Sequence, residues 1–199
     1  MSTLVRYAVD GPVARLTLDS PHNRNALSAE LVEQLHQRLT DAVADPEVRA
    51  VVLDHTGGTF CAGADLGQAA GGDAEQALRA NAVQMARLLR RILELRVPVI
   101  AAVDGHARAG GLGLIGACDI VVAGPASTFA LTEVRIGVAP SIISLTLLPK
   151  ITARAASRYF VTGERFGPAE AVQMGLVTVA ADDVDAAVAA LTDAIAKGS

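Results

Sequence analysis

Two runs of small residues are the parts of this chain most suited to chemistry. The first is Phe60-Cys61-Ala62-Gly63-Ala64-Asp65, and the second is Ala101 to Asp119, AAVDGHARAGGLGLIGACD, about forty residues further on. Each places small residues where a strand hands over to a helix, so backbone N–H groups lie unshielded by side chains and can point into a common site. Donors aimed in this way at one carbonyl oxygen form an oxyanion hole. Polar side chains flank the second run at Asp104, His106 and Arg108, and His55 follows the apolar stretch Ala50 to Leu53. The four histidines show no H-E-x-x-H or comparable spacing, so no metal is implied.

Gly111-Leu112-Gly113-Leu114-Ile115-Gly116 also fits G-x-G-x-x-G, the dinucleotide-binding fingerprint. The fit does not extend to its surroundings. A crossover helix of about ten residues is needed before the next strand, whereas Cys118-Asp119-Ile120-Val121-Val122 begins almost at once. The glycines also start well past the end of the strand expected over Val97 to Val103.

The elements that must hold these runs alternate between short strands and helices. Leu4 to Val9 and Val13 to Leu18, separated by Asp10-Gly11-Pro12, read as a hairpin. Ser28 caps an expected helix with apolar positions at Leu31, Leu35 and Leu39, which Asp45-Pro46 ends. Ala50 to Leu53 reads as a buried strand, Gly67 to Gly72 as a flexible loop and Asp73 to Leu95 as a helix stopped by Pro98. Val97 to Val103, Ile120 to Ala123 and Leu176 to Val179 read as strands. Shorter helices are expected around Leu112, Ala153 to Phe160, Pro168 to Met174 and Val184 to Ala196.

A chain of 199 residues with 51% apolar composition has material for one sizeable core, and no linker or internal repeat divides it. With aromatics at 3% and no Trp, Ala, Val, Leu and Ile must fill the interior. A formal charge of −4 without a basic cluster gives no footprint for nucleic acid. No signal-like start and no membrane-length apolar run is present, so the expected location is cytoplasmic, with no membrane partner. Cys61 and Cys118 read as reduced packing residues.

The two runs, followed by Phe129-Ala130-Leu131-Thr132-Glu133-Val134-Arg135-Ile136-Gly137, resemble the crotonase (enoyl-CoA hydratase/isomerase) superfamily from Val5 to the end of the chain. The resemblance implies an α/β fold, the crotonase spiral of β-β-α units with two roughly perpendicular sheets, here with the C-terminal helical region short or missing. Residues 1–199 would form one acyl-CoA-binding core. It further implies an enolate held by the backbone N–H groups of Ala64 and Gly110, with Glu133 as acid/base. Arg24, Ala26, Ala62, Asp65, Leu66 and Gly113 would bind substrate. Coenzyme A would be part of that substrate, with no separate cofactor, and the assembly would be a homotrimer or hexamer.

One position departs from the family's pattern: Gly113 stands where hydratases carry their first glutamate. A single carboxylate suffices for double-bond isomerisation, while hydration is thought to use two. Hydration and isomerisation both remain open at this point, with His106 or Arg108 as stand-ins for the missing carboxylate. A non-catalytic acyl-CoA binding or carrier protein is the alternative.

Overall fold

The computed structural model describes residues 2–65 and 74–198. The expected hairpin forms from β1 (Val5–Asp10) and β2 (Val13–Leu18), antiparallel, with Val5 opposite Leu18. Gly11 turns it at φ 52°, where a side chain is disfavoured. In α1 (Ala29–Ala44), Ser28 Oγ accepts a hydrogen bond from the Leu31 N–H at 3.2 Å, the cap expected from sequence. Its stripe of Leu31, Val32, Leu35, Leu39 and Ala42 is buried.

The chain then repeats one pattern. β3 (Ala50–His55), β4 (Thr59–Cys61) and α2 (Ala74–Leu93) make the first turn of a spiral. The second turn is β5 (Val99–Val103), β6 (His106–Arg108) and α3 (Gly110–Ala117). In the third, β7 (Ile120–Ala123) and β8 (Thr128–Ala130) lead through a 3-10 helix over Thr132–Ile136 to α4 (Ser141–Leu147). The first strand of each turn joins a six-stranded sheet, ordered β1-β2-β3-β5-β7-β9, and the second joins a three-stranded sheet, ordered β4-β6-β8. α5 (Ala153–Thr162), α6 (Pro168–Met174), β9 (Val179–Ala180) and α7 (Val184–Lys197) complete the chain.

Strand alternation divides the interior. Val51, Leu53, Val99, Ala101, Val103, Val121 and Ala123 face the main core with α1, α2 and α3. Val52, Ile100, Ala102 and Val122 face the other way, against Val188 and the partly buried Val184, Leu191 and Ile195 of α7. Both faces of the large sheet are therefore covered, which is why its parallel strands read as unbroken apolar runs.

Three features differ from the sequence reading. The strand expected over Leu176 to Val179 is only Val179–Ala180, because the N–H groups of Leu176 and Val177 both donate to Ala171 O in the turn that closes α6. The strands of the small sheet have three residues each, too few for a period of two to register. α4, with its run Ser141-Ile142-Ile143-Ser144, has no helical signature. The loop expected over 67–72 lies outside the described residues. Among the described residues no helix is long and apolar enough to cross a membrane, and no group of His, Cys, Asp or Glu is placed to hold a metal ion.

Candidate active site

The small sheet brings the two glycine-rich runs and Glu133 to one edge. Its strands are all parallel, with Thr59 beside His106 and His106 beside Thr128. Ala64 follows the end of β4, Gly110 the end of β6 and Glu133 the end of β8. Neighbouring strands lie about 4.8 Å apart, so three adjacent strand ends span roughly 10 Å, the reach of a short acyl thioester. The carboxyl ends of parallel strands are the usual place for a ligand in such sheets.

The first two groups are in direct backbone contact. A Cβ built on Gly63, whose φ is +91°, would stand 2.9 Å from Ala109 Cβ, 3.1 Å from Arg108 O and 3.3 Å from the Gly110 nitrogen. One on Gly111 would stand 2.6 Å from Cys61 O. Glycine is needed at both positions for the loops to meet at all. Ala64 forms a parallel bridge with Leu27, in which Leu27 makes both hydrogen bonds: its N–H donates to Gly63 O at 2.8 Å, and its carbonyl accepts from the Asp65 N–H at 3.5 Å. That pattern leaves the N–H of Ala64 directed to the opposite side. Gly110 is the first residue of α3, where an N–H has no partner within its own helix. Ala109 before it has φ 47° and ψ −119°, a conformation an L residue rarely adopts. Its N–H donates to Ala130 O at 3.2 Å, tying the bend to β8.

Glu133 lies in the first turn of the 3-10 helix, half-buried. Its Oε2 is buried with no partner among the described residues. Burial pushes its pKa above the usual carboxylate range, and a hydrogen bond with its own backbone opposes the shift. Arg135 does not neutralise it, since that guanidinium donates to Gly163 O at 2.8 Å.

Gly113 is where the structure adds most to the sequence. A Cβ there would sit 2.5 Å from Ile143 Cγ2 and 3.1 Å from both Ile143 Cβ and Met85 Cε. The space beside Gly113 is thus filled by α4 and α2. Ile143 and Met85 are the neighbours that sequence reasoning missed. Met85 falls within the helix expected over Asp73 to Leu95, and nothing in the sequence linked it to Gly113.

The remaining candidates divide into two groups. Ala26 is buried and Ala62 half-buried, and the Ala62 N–H donates to Arg24 O at 3.1 Å, so the Arg24 loop does meet the first run. Arg24 itself is left-handed, φ 59°, with an exposed side chain, and Asp65 is half-buried. Leu66 lies outside the described residues. His106 and Arg108 are placed differently from the sequence expectation. Both reach across to Thr128: His106 Nδ1 lies 2.9 Å from its Oγ1, and Arg108 donates to its carbonyl at 2.6 Å and to its Oγ1 at 2.7 Å. The intervening Ala107 is fully buried, so alternation sends both side chains to the face away from the core. Among the described contacts, none brings either of them to Ala64, Gly110 or Gly113. Burial pushes the thiols of Cys61, to about 12, and Cys118 upward, in keeping with inert packing residues.

Comparison with known proteins gives the family that the sequence resembles. The sequence model for enoyl-CoA hydratase/isomerase matches residues 9–199, and the chain belongs to that family. Its class is therefore that of the enoyl-CoA hydratases and isomerases, built on the crotonase fold. A solved structure from Mycobacterium avium, described as an enoyl-CoA hydratase, superposes with a TM-score of 0.91 at 62% identity, covering 100% of this chain and 78% of that one. A Thermus thermophilus protein whose hydratase activity is itself an inferred assignment is 40% identical, over 84% of this chain and 67% of its own length. The peroxisomal Delta(3,5)-Delta(2,4)-dienoyl-CoA isomerase of Arabidopsis thaliana is 31% identical, over 88% of this chain and 67% of its own. The chain thus spans about two thirds of the length of these two curated relatives.

Proposed function

We propose that the protein shifts the double bond of an enoyl-CoA thioester by proton transfer through Glu133. The thioester carbonyl oxygen accepts from the N–H groups of Ala64 and Gly110. The Glu133 carboxylate removes a proton from C2 of a 3-enoyl thioester, and the C–H electron pair enters a dienolate whose charge rests on that oxygen. Return of the proton to C4 gives the 2-enoyl thioester and restores the carboxylate. A donor pair of this kind contributes on the order of 3 to 4 kcal/mol per donor to the transition state, and one well-placed acid/base about 10²- to 10⁴-fold in rate. Burial suits Glu133 to this work, because a raised pKa makes it a stronger base for a weakly acidic carbon. Coenzyme A enters as part of the substrate, with Arg24 at the lip of the site for its phosphates and Ala26, Ala62 and Asp65 along its course.

The observation that carries isomerisation over hydration is the contact of Ile143 with Gly113. Hydration needs a second group to orient and split water, and an isoleucine occupies the ground on which it would stand. Turnover of a 3-enoyl-CoA, followed beside loss of crotonyl-CoA absorbance, tests this. Isomerisation should exceed hydration by at least about 10²-fold, the worth of one acid/base group. Hydration as fast as isomerisation would overturn the reading, and turnover of neither substrate would favour the acyl-CoA carrier.

A further inference from the structure

Three short crossings carry the chain from the large sheet to the small one: residues 56–58 from β3 to β4, Asp104-Gly105 from β5 to β6, and residues 124–127 from β7 to β8. The strands they feed lead on to Ala64, Gly110 and Glu133. His55, the last residue of β3, touches the first two of these units. Its Nε2 accepts a hydrogen bond from the Asp104 N–H at 3.2 Å, and its ring meets Phe60 of β4 edge to face, centroids 5.6 Å apart at 84°. The His106 N–H donates to Gly58 O at 3.0 Å beside it. Asp104 carries the connection onward, since its Oδ1 accepts from the Ala126 N–H at 3.2 Å in the third crossing. Ser127 Oγ closes the belt by donating to Val103 O at 2.8 Å.

The second and third crossings are packed too closely for a substitute at their glycines. A Cβ on Gly105 would lie 2.8 Å from both His55 Cε1 and Gly58 O, and one on Gly124 would lie 2.2 Å from Asp104 Oδ1. A backbone N–H only donates, so Nε2 of His55 is bare and Nδ1 carries the proton. Desolvation lowers the imidazole pKa and keeps that neutral form.

We infer that His55 is a positioning residue that fixes β4 and β6 relative to each other, and with them the two donors of the oxyanion hole. It acts from a distance: the site lies at the carboxyl edge of the small sheet and His55 at the amino edge, roughly 10 Å away across three-residue strands. A displacement of about 1 Å between catalytic groups costs on the order of 10²-fold in rate, so a slip between these strands is costly even where the fold survives. The inference rests on Ala64 and Gly110 being the donors.

Two variants separate the hydrogen bond from the ring. His55→Phe keeps an aromatic edge for Phe60 but cannot accept from Asp104, whereas His55→Gln places an amide oxygen near the position of Nε2. The readouts are acyl-CoA turnover and amide hydrogen exchange over residues 59–64 and 104–112. For His55→Phe, kcat should fall about 10²-fold with KM changed less than about threefold, because an enolate is bound more dependently on donor alignment than a ground-state carbonyl. Exchange in both segments should quicken, and His55→Gln should restore both readouts. Wild-type kcat and exchange in His55→Phe would overturn the inference, as would equal loss in both variants. Should His55→Phe fail to fold, a folded His55→Gln with strongly reduced kcat would overturn it and one near wild type would support it. If the wild-type protein turns over no acyl-CoA, the isomerase reading fails by itself. The brace is then judged by exchange alone, faster in His55→Phe than in His55→Gln if it holds and equal if it does not.

Discussion

Ile143 determines what can stand at position 113. Its Cγ2 lies 2.5 Å from the point where any side chain there would begin, so glycine at this position is built into the packing of α3 against α4. Gly113 is fully enclosed, and its carbonyl accepts from Thr146 Oγ1 at 3.1 Å, which holds the two helices together on the same side. Gly113→Glu is therefore expected to lower stability without raising hydration, although replacing glycine within a helix is ordinarily favourable. Overpacking costs about 1–3 kcal/mol, and an enclosed carboxylate adds to it. Thermal denaturation should show a Tm lower by about 5 °C or more, since each kcal/mol moves Tm by roughly 2–4 °C in a chain of this size. An unchanged Tm with faster crotonyl-CoA hydration would show that Ile143 yields to the carboxylate.

At the scale of elements, the loop between β2 and α1 is as important to the site as the strands are. Asn25 is fully buried with φ 54°, and its side chain makes three bonds: it accepts from the Ser20 N–H at 2.7 Å and donates to Thr56 O at 3.1 Å and Thr59 O at 2.8 Å. It thereby joins the loop that carries Leu27, the bridge partner of Ala64, to the start of β4. Asn25→Ala strands those groups in the interior and should cost about 3 kcal/mol, seen as a fall of roughly 6–12 °C in Tm. A loss below about 1 kcal/mol would mean that water replaces the amide. Nothing in the sequence marked this role, and only the family resemblance singled out the loop, because a side chain that bonds to residues about thirty positions away leaves no periodic mark. Long elements were legible for the opposite reason. α1 and α2 repeat their apolar positions over 16 and 20 residues, whereas the small sheet uses three residues per strand.

For the molecule as a whole, the glycine-rich runs were legible because loops that meet backbone to backbone require small residues, a demand that shows in composition at once. Glu133 was legible only through its surrounding pattern. What no local reading could supply is the convergence itself: a spiral of three β-β-α turns sets the ends of β4, β6 and β8 side by side, and Ile143 closes off the place beside Gly113. In the proposed function binding and proton transfer belong to different groups, the backbone of Ala64 and Gly110 for the first and the carboxylate of Glu133 for the second. Glu133→Gln separates them most directly, measured by calorimetric titration with an acyl-CoA alongside 3-enoyl-CoA turnover. The account predicts a Kd within about threefold of wild type and turnover lower by at least about 10²-fold, the contribution of one acid/base group. Full turnover in Glu133→Gln would contradict it and remove Glu133 from the mechanism.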